Sequence, residues 1–376
     1  MKYVIEDTTL NAIGDAVRAK GNTEDKILVS NLATAINNLP TGGGDSGIPE
    51  EAFTITGDCE KRFANDGWNW FVEGYGDKVI TKDITKATSM FSNSESLKEI
   101  KFEINIDNTI AGDMGNMFMG CELLKELPKV NNARPNSLGY FFQGCFSIRE
   151  MPEDWCDTWT WTDFNASAYG SCGSFFATCY SLRRISTNFL KNFWTSATSP
   201  YSTIYSYMFN YCYVLDEIKG LKVLDQAFSS NMFSSTFNTT GRVKDITFET
   251  NEDGTPKVAQ WKNQTIDLTR YVGCHKSYAT NYNSGITADK EVKDDATYQA
   301  LKDDPDWFTG DVNYSRYNRT SAVNTINSLP DCSATGTNTI NFKGASGALT
   351  DGGAINTLTE EEIAVAAAKG WTVTLS

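Results

Sequence analysis

From Phe91 onward the chain places an apolar or small residue at every third position for ten residues, breaks off, and then does so again. The segments are FSNSESLKEI from Phe91, FMGCELLKEL from Phe118, FQGCFSIREM from Phe142, FATCYSLRRI from Phe176 and FNYCYVLDEI from Phe209. A degenerate sixth, FSSTFNTTGRVKDI, starts at Phe233 and carries extra residues before Val243 and Ile246. Successive starts lie between 24 and 34 residues apart. Positions 0, +3, +6 and +9 are kept while the lengths between them vary, as expected of coils that stack through a fixed apolar ladder and expel insertions as loops. Short extended stretches follow the units: IKFEINI from Ile100, LPKV from Leu127, ISTNFL from Ile185 and ITFET from Ile246. Turn and strand, coil after coil, predict an α/β repeat with parallel strands along one side.

The flanks have a different period. Leu10, Ile13 and Val17 share one helical face that stops at Gly21, and Leu32, Ile36 and Leu39 share a second that ends at Pro40. Two helices this short cannot bury a core of their own, so they are expected to dock on copies of themselves or on a partner; packing on the rest of the chain is the alternative. TGGGDSG (41–47) reads as a linker. Near the other end, Thr320–Leu329 has a helical pattern and TINFKG from Thr339 a strand pattern. Thr359 with Glu362 three residues on predicts a capping box and a helix to Lys369, stopped at Gly370 and followed by a strand over Trp371–Leu375 that closes the stack. The expected organisation is an anchor over 1–40, the linker, a repeat region over 48–270 and a C-terminal repeat and capping region over 271–376.

The F-x-x-C-x-x-L-x-x-I pattern from Phe91 to Phe248 resembles the BspA-like, or treponemal-type, leucine-rich repeats. That resemblance implies a leucine-rich-repeat solenoid. DTTLNAIGDAVRAKGNTEDKILVSNLATAINNLP is similar to helical segments at the head of phage tail and baseplate proteins, and TEEEIAVAAAKGWT to the end of repeat proteins of phage and prophage. Together these imply a non-enzymatic virion protein that sits on other virion proteins through its N-terminal helices, as a homo-oligomer. The repeats would face a host-cell glycan or protein. A fibre or decoration protein without a receptor, and a bacterial surface adhesin, are the alternatives.

Charge and chemistry narrow this further. A formal charge of −14 argues against a nucleic-acid backbone as partner. The opening MKYVIEDTTL lacks the apolar core of a signal peptide, so synthesis in the host cytoplasm is the expectation, without membrane insertion. Cysteine holds the +3 position at Cys121, Cys145, Cys179 and Cys212, with Ser94 and Thr236 in the same slot, which suits a packing position and not a metal site. The sole histidine, His275, has no G-x-S-x-G or H-E-x-x-H around it, so neither a catalytic nor a metal nor a cofactor set is expected. DNTIAGDMG (107–115) and DDPDW (303–307) lack the calcium-loop order. A glycosidase would need two carboxylates about 5–10 Å apart, and EDWCDTWTWTDF (153–164) is the most suggestive place. There Trp155, Trp159 and Trp161, with Tyr201, Tyr205 and Tyr207 in the next long interval, are the candidate surface-binding residues. The alternative is that these rings cover the flank of the stack and bury against it.

Overall fold

The computed structural model describes residues 53–110, 112–161, 172–192, 205–225, 232–238, 240, 243–270, 272–273, 317–342 and 355–375. The expected anchor residues Leu10, Ile13, Val17, Leu32, Ile36 and Leu39, the linker and Tyr201 lie outside the described residues.

The phenylalanines at position 0 form one column. Phe63, Phe91, Phe118, Phe142, Phe176, Phe209 and Phe237 lie ring over ring, with centroids 5.2, 5.4, 5.4, 6.0, 6.3 and 6.2 Å apart and interplanar angles between 10° and 24°. All seven are buried. Each such ring taken from water is worth about 1.5–3 kcal/mol. Two members correct the sequence expectation. RFANDGWNWF supplies a unit of its own at Phe63. The last unit starts at Phe237 and not at Phe233, because Phe233 stacks on Tyr205 at 5.1 Å, four residues before the main column. From Phe237 the segment FNTTGRVKDI has no extra residues: Thr240, Val243 and Ile246 fall at +3, +6 and +9.

Backbone handedness alternates around each ring. The residue at −2 has φ between 53° and 57° in every unit, from Lys61 to Ser235, and the residue at +2 has φ between 58° and 78°, from Asn65 to Tyr211. Glycine, which adopts this conformation without a Cβ penalty, takes the left-handed slot at Gly120 and Gly144. The alternation divides the amide N–H groups into two sets. Those at −1, +1 and +3 close turns within the unit, as in Met90→Ala87, Ser92→Ser89 and Ser94→Phe91. Those at −2, 0 and +2 cross to the following unit, as in Ser89→Gly115, Phe91→Met117 and Asn93→Met119. The bonds at position 0 span 2.8–3.1 Å from Phe63 to Phe209.

The +3 side chain adds a bond in the opposite direction. Cys121, Cys145, Cys179 and Cys212 donate S–H to the carbonyls of Phe91, Phe118, Phe142 and Phe176 at 3.1–3.2 Å, and Ser94 donates to Phe63 at 2.7 Å. The slot is therefore a donor site as well as a packing site. Burial pushes the Cys145 and Cys212 thiols well above their ordinary value, which keeps the proton on sulfur.

Strands pair in parallel, in five small sheets among the described residues instead of one continuous sheet. β1 (Thr54–Asp58) pairs with β2 (Ile80–Lys86), β3 (Ile104–Asn105) with β5 (Val130–Asn131), and β4 (Gly112–Asp113) with β6 (Pro135–Ser137). β7 (Glu217–Leu221) pairs with β8 (Asp245–Phe248). β9 (Thr265–Leu268), β10 (Asn338–Phe342) and β11 (Trp371–Leu375) form a three-stranded sheet that crosses the expected boundary at 270. After the short α1 (Asn69–Tyr75), α2 (Thr187–Asn192) replaces the extended stretch expected at ISTNFL. Its first turn is capped by Ser186, which accepts from Phe189 N–H at 3.0 Å. Glu153 of the preceding unit accepts from Thr187 N–H at 3.0 Å and Asn188 N–H at 3.3 Å. α3 (Arg319–Ser328) and α4 (Glu360–Ala368) stand where the sequence predicts them, α4 with the reciprocal Thr359–Glu362 box and Gly370 at φ 79° behind it. α4 buries little beyond Ala366, while Trp371 beside it is buried and donates to Pro330 O at 2.9 Å.

Two outcomes follow. Cys179→Ser keeps the donor that Ser94 supplies naturally and stays within about 1 kcal/mol of the parent in urea unfolding, whereas Cys179→Val loses it and falls further. A valine variant as stable as the serine one refutes the donor role. Partial burial pushes the Glu153 carboxyl up, but the bonds from Thr187, Asn188 and Ser186 outweigh it and hold the group below its ordinary value. Its contribution is therefore complete above about pH 4.3, the ordinary Glu value, and is lost as pH falls through the lowered one. Thermal unfolding of Glu153→Gln against the parent should converge in acid.

Candidate binding surface

Aligned on the ring column, the units present two chemically opposite faces. At +7 and +8 every residue from the Phe91 unit to the Phe237 unit is charged: Lys98–Glu99, Lys125–Glu126, Arg149–Glu150, Arg183–Arg184, Asp216–Glu217 and Lys244–Asp245. Cross-unit ion pairs join Arg184 to Glu150 at 2.5 Å and Arg183 to Asp216 at 3.4 Å. A cavity of about 690 Å³ lies on this side, lined by Lys98, Glu99, Lys101, Glu103, Lys125 and Lys129 among others. Its charges are largely matched, with Lys129 on Glu103 at 2.7 Å and Lys101 on Glu99 at 3.3 Å. The hydrogen bond from Lys129 holds the Glu103 carboxyl below its ordinary value.

The turn around the ring is the reverse. In the same six units position −3 reads Thr88, Gly115, Gly139, Gly173, Ser206, Ser234, and position −2 reads Ser89, Asn116, Tyr140, Ser174, Tyr207, Ser235. Position +1 reads Ser92, Met119, Gln143, Ala177, Asn210, Asn238, and +2 begins Asn93, Gly120, Gly144, Thr178, Tyr211. None is charged, in a chain where 21% of residues are. The left-handed backbone at −2 and +2 explains the Asn and Gly there, which tolerate it best. It does not explain the tyrosines. Tyr140 and Tyr207 are 42% and 44% exposed, and neither ring meets another aromatic among the described residues.

A second aromatic column at +4 behaves differently. Phe146 stacks on Tyr180 at 4.6 Å and 7°, and Tyr180 on Tyr213 at 5.0 Å and 20°. The facing rings there are spent on one another within the protein.

The candidate surface residues read from the sequence separate sharply. Trp155, Trp159 and Trp161 are buried, and the surface role expected for them is corrected: they fill the flank of the stack. Trp155 donates its indole N–H to Pro128 O at 2.9 Å and Trp159 to Val130 O at 2.7 Å, both one unit back. Trp155 lies 4.7 Å from Trp159 and Trp159 5.3 Å from Trp161, ring to ring. An indole needs one acceptor to be buried without loss, and the preceding unit offers it. Tyr205 is also a correction: fully buried, it stacks under Phe233 and donates its hydroxyl to Lys222 O. Of the five described, Tyr207 alone stays at the surface. Tyr140, Tyr211 and the uncharged columns were not singled out by sequence reasoning; aligning the units by column would have found them.

Asp107, in one of the acidic loops, spends its carboxylate on Thr109, accepting from its N–H at 2.9 Å and its hydroxyl at 2.6 Å. Among the described residues no cluster of three or more His, Cys, Asp or Glu could hold a metal ion, and no helix is long and apolar enough to cross a membrane. The chain matches no protein family, no curated protein and no solved structure.

Burial predicts how the tryptophans respond to mutation. Trp159→Ala costs about 3–5 kcal/mol of stability, measured by denaturant unfolding, with native-state indole fluorescence shielded from a soluble quencher. A variant that unfolds like the parent places Trp159 at the surface after all.

Proposed function

We propose that the chain is a leucine-rich-repeat solenoid of the BspA-like type that serves as a non-enzymatic bacteriophage virion protein. In this reading it is a tail, baseplate or fibre component that adheres to the host surface. Residues 1–40 anchor it to other virion proteins as a homo-oligomer, and the repeat stack presents the adhesive face outward. The phage context is supported by the resemblance of the N-terminal helices, the repeats and the C-terminal segment.

Adhesion is supported by one observation above all: charge is excluded from the turn face of the six units from Phe91 to Phe237, while exposed tyrosines are kept there in left-handed slots. A purely structural decoration has no use for that asymmetry. Solubility alone would distribute the charged residues over both faces. Tyrosine, serine, glycine and asparagine are also the residues that recognition surfaces use, combining rigid aromatic area with adaptable hydrogen bonding.

Purified full-length protein should bind host cells and slow adsorption of the phage that carries it. If it does neither, adhesion is wrong. A chain lacking residues 1–40 should still bind cells but fail to join the particle, and normal incorporation of that truncation would remove the anchor from the reading.

A further inference from the structure

We propose that the uncharged face between the Phe142 and Phe209 units binds an uncharged carbohydrate chain, gripped by Tyr140 and Tyr207. This rests on the adhesive reading above and names the ligand class and its two principal contacts.

Tyrosine at these two positions does not serve folding. Both sit at −2 with φ of 57° and 56°, where a residue with a Cβ is disfavoured. Both remain more than two-fifths exposed, so little apolar area is recovered by burial. Four other units put Ser or Asn in the same slot, at Ser89, Asn116, Ser174 and Ser235. A residue that weakens the backbone and leaves its ring in water is retained for what it meets outside the chain.

The surroundings define what that is. Ser174, the −2 residue of the intervening unit, is buried, so two raised rings flank a low floor. The column-to-column steps across this notch are 6.0 and 6.3 Å, measured at the phenylalanines beneath. Sugar rings stack their C–H faces on aromatic faces, and those of Tyr140 and Tyr207 carry no other ring among the described residues. Between these rings the face carries Gln143, Ser174, Thr178, Ser206 and Asn210, of which Gln143 and Thr178 are partly exposed and suited to sugar hydroxyls, and not one ionic group. A sulfated or uronic-acid glycan would find no cation there and would approach a chain of formal charge −14. A cationic partner would find no carboxylate there either. An uncharged glycan fits both constraints.

The test uses the full-length chain on an array of immobilised neutral and acidic oligosaccharides, with host-cell binding measured in parallel. The parent should bind neutral glycans and ignore acidic ones. Tyr140→Ser/Tyr207→Ser should lose affinity about tenfold or more, with a thermal midpoint equal to or above the parent's, since serine is native to this slot in three other units. Lys125→Ala/Glu126→Ala, on the charged face, should bind like the parent. Cell binding without binding to any neutral glycan overturns the ligand class and leaves adhesion standing. So does cell binding abolished by protease treatment of the cells, which indicates a protein receptor. Neutral-glycan binding that survives the double serine variant overturns the site. Absence of cell binding and glycan binding together removes the adhesive reading and this one with it.

Discussion

A left-handed residue two before and two after each stacked phenylalanine is the constraint on which this protein depends. L-amino acids resist that conformation, yet it is kept at −2 from Lys61 to Ser235 and at +2 from Asn65 to Tyr211. What it secures is direction. With handedness alternating, the N–H groups at −2, 0 and +2 leave the unit together and find carbonyls in the next, while their neighbours close turns inside. No amide in the turn has to be buried unpaired, which would cost more than the strain does. The rings stack because the backbone has already fixed their spacing. Their burial then adds about 1.5–3 kcal/mol each.

From this single geometry the side-chain columns acquire their chemistry. Position 0 faces the core and takes phenylalanine. Position +3 lies beside the previous unit's carbonyl and takes a small donor, serine in the Phe91 unit and cysteine in the next four. Positions +7 and +8 are charged in every unit from Phe91 to Phe237. The turn face stands against its neighbours at close quarters, and small neutral residues fill it except where tyrosine intrudes. Variation in length between units falls outside these columns, so steps as different as 24 and 34 residues leave the stack in register.

Much of this was legible beforehand. The 0, +3, +6 and +9 pattern identified the core of five units correctly, and the Thr359–Glu362 box placed α4 and the strand behind it. Misalignment of the last unit came from anchoring on its first aromatic, Phe233, although Val243 and Ile246 already stood at +6 and +9 from Phe237. The tryptophans were harder. An indole among aspartates has the same composition whether it stacks on a ligand or donates inward, and the acceptors, Pro128 and Val130, belong to another unit. Left-handed slots were hidden because Lys61, Tyr140, Thr178 and Tyr207 occupy some of them. Only the glycines and asparagines elsewhere in those columns betray the conformation.

The donor set on one side of a unit and the acceptor set on the other are the same at every joint from Phe63 to Phe209. Units are therefore exchangeable parts. A recombination that excises Phe142–Phe175 in frame would bring the Phe118 unit against Phe176, whose carbonyl at −1 would then be that of Phe141. The three crossing bonds have the same partners by position as before. Whole units can be lost, gained or traded between related genes without redesigning the core, and each trade changes which residues stand in the −2 column. The scaffold thus separates inheritance of the fold from inheritance of the surface, an arrangement suited to a chain whose outer face must follow a changing counterpart.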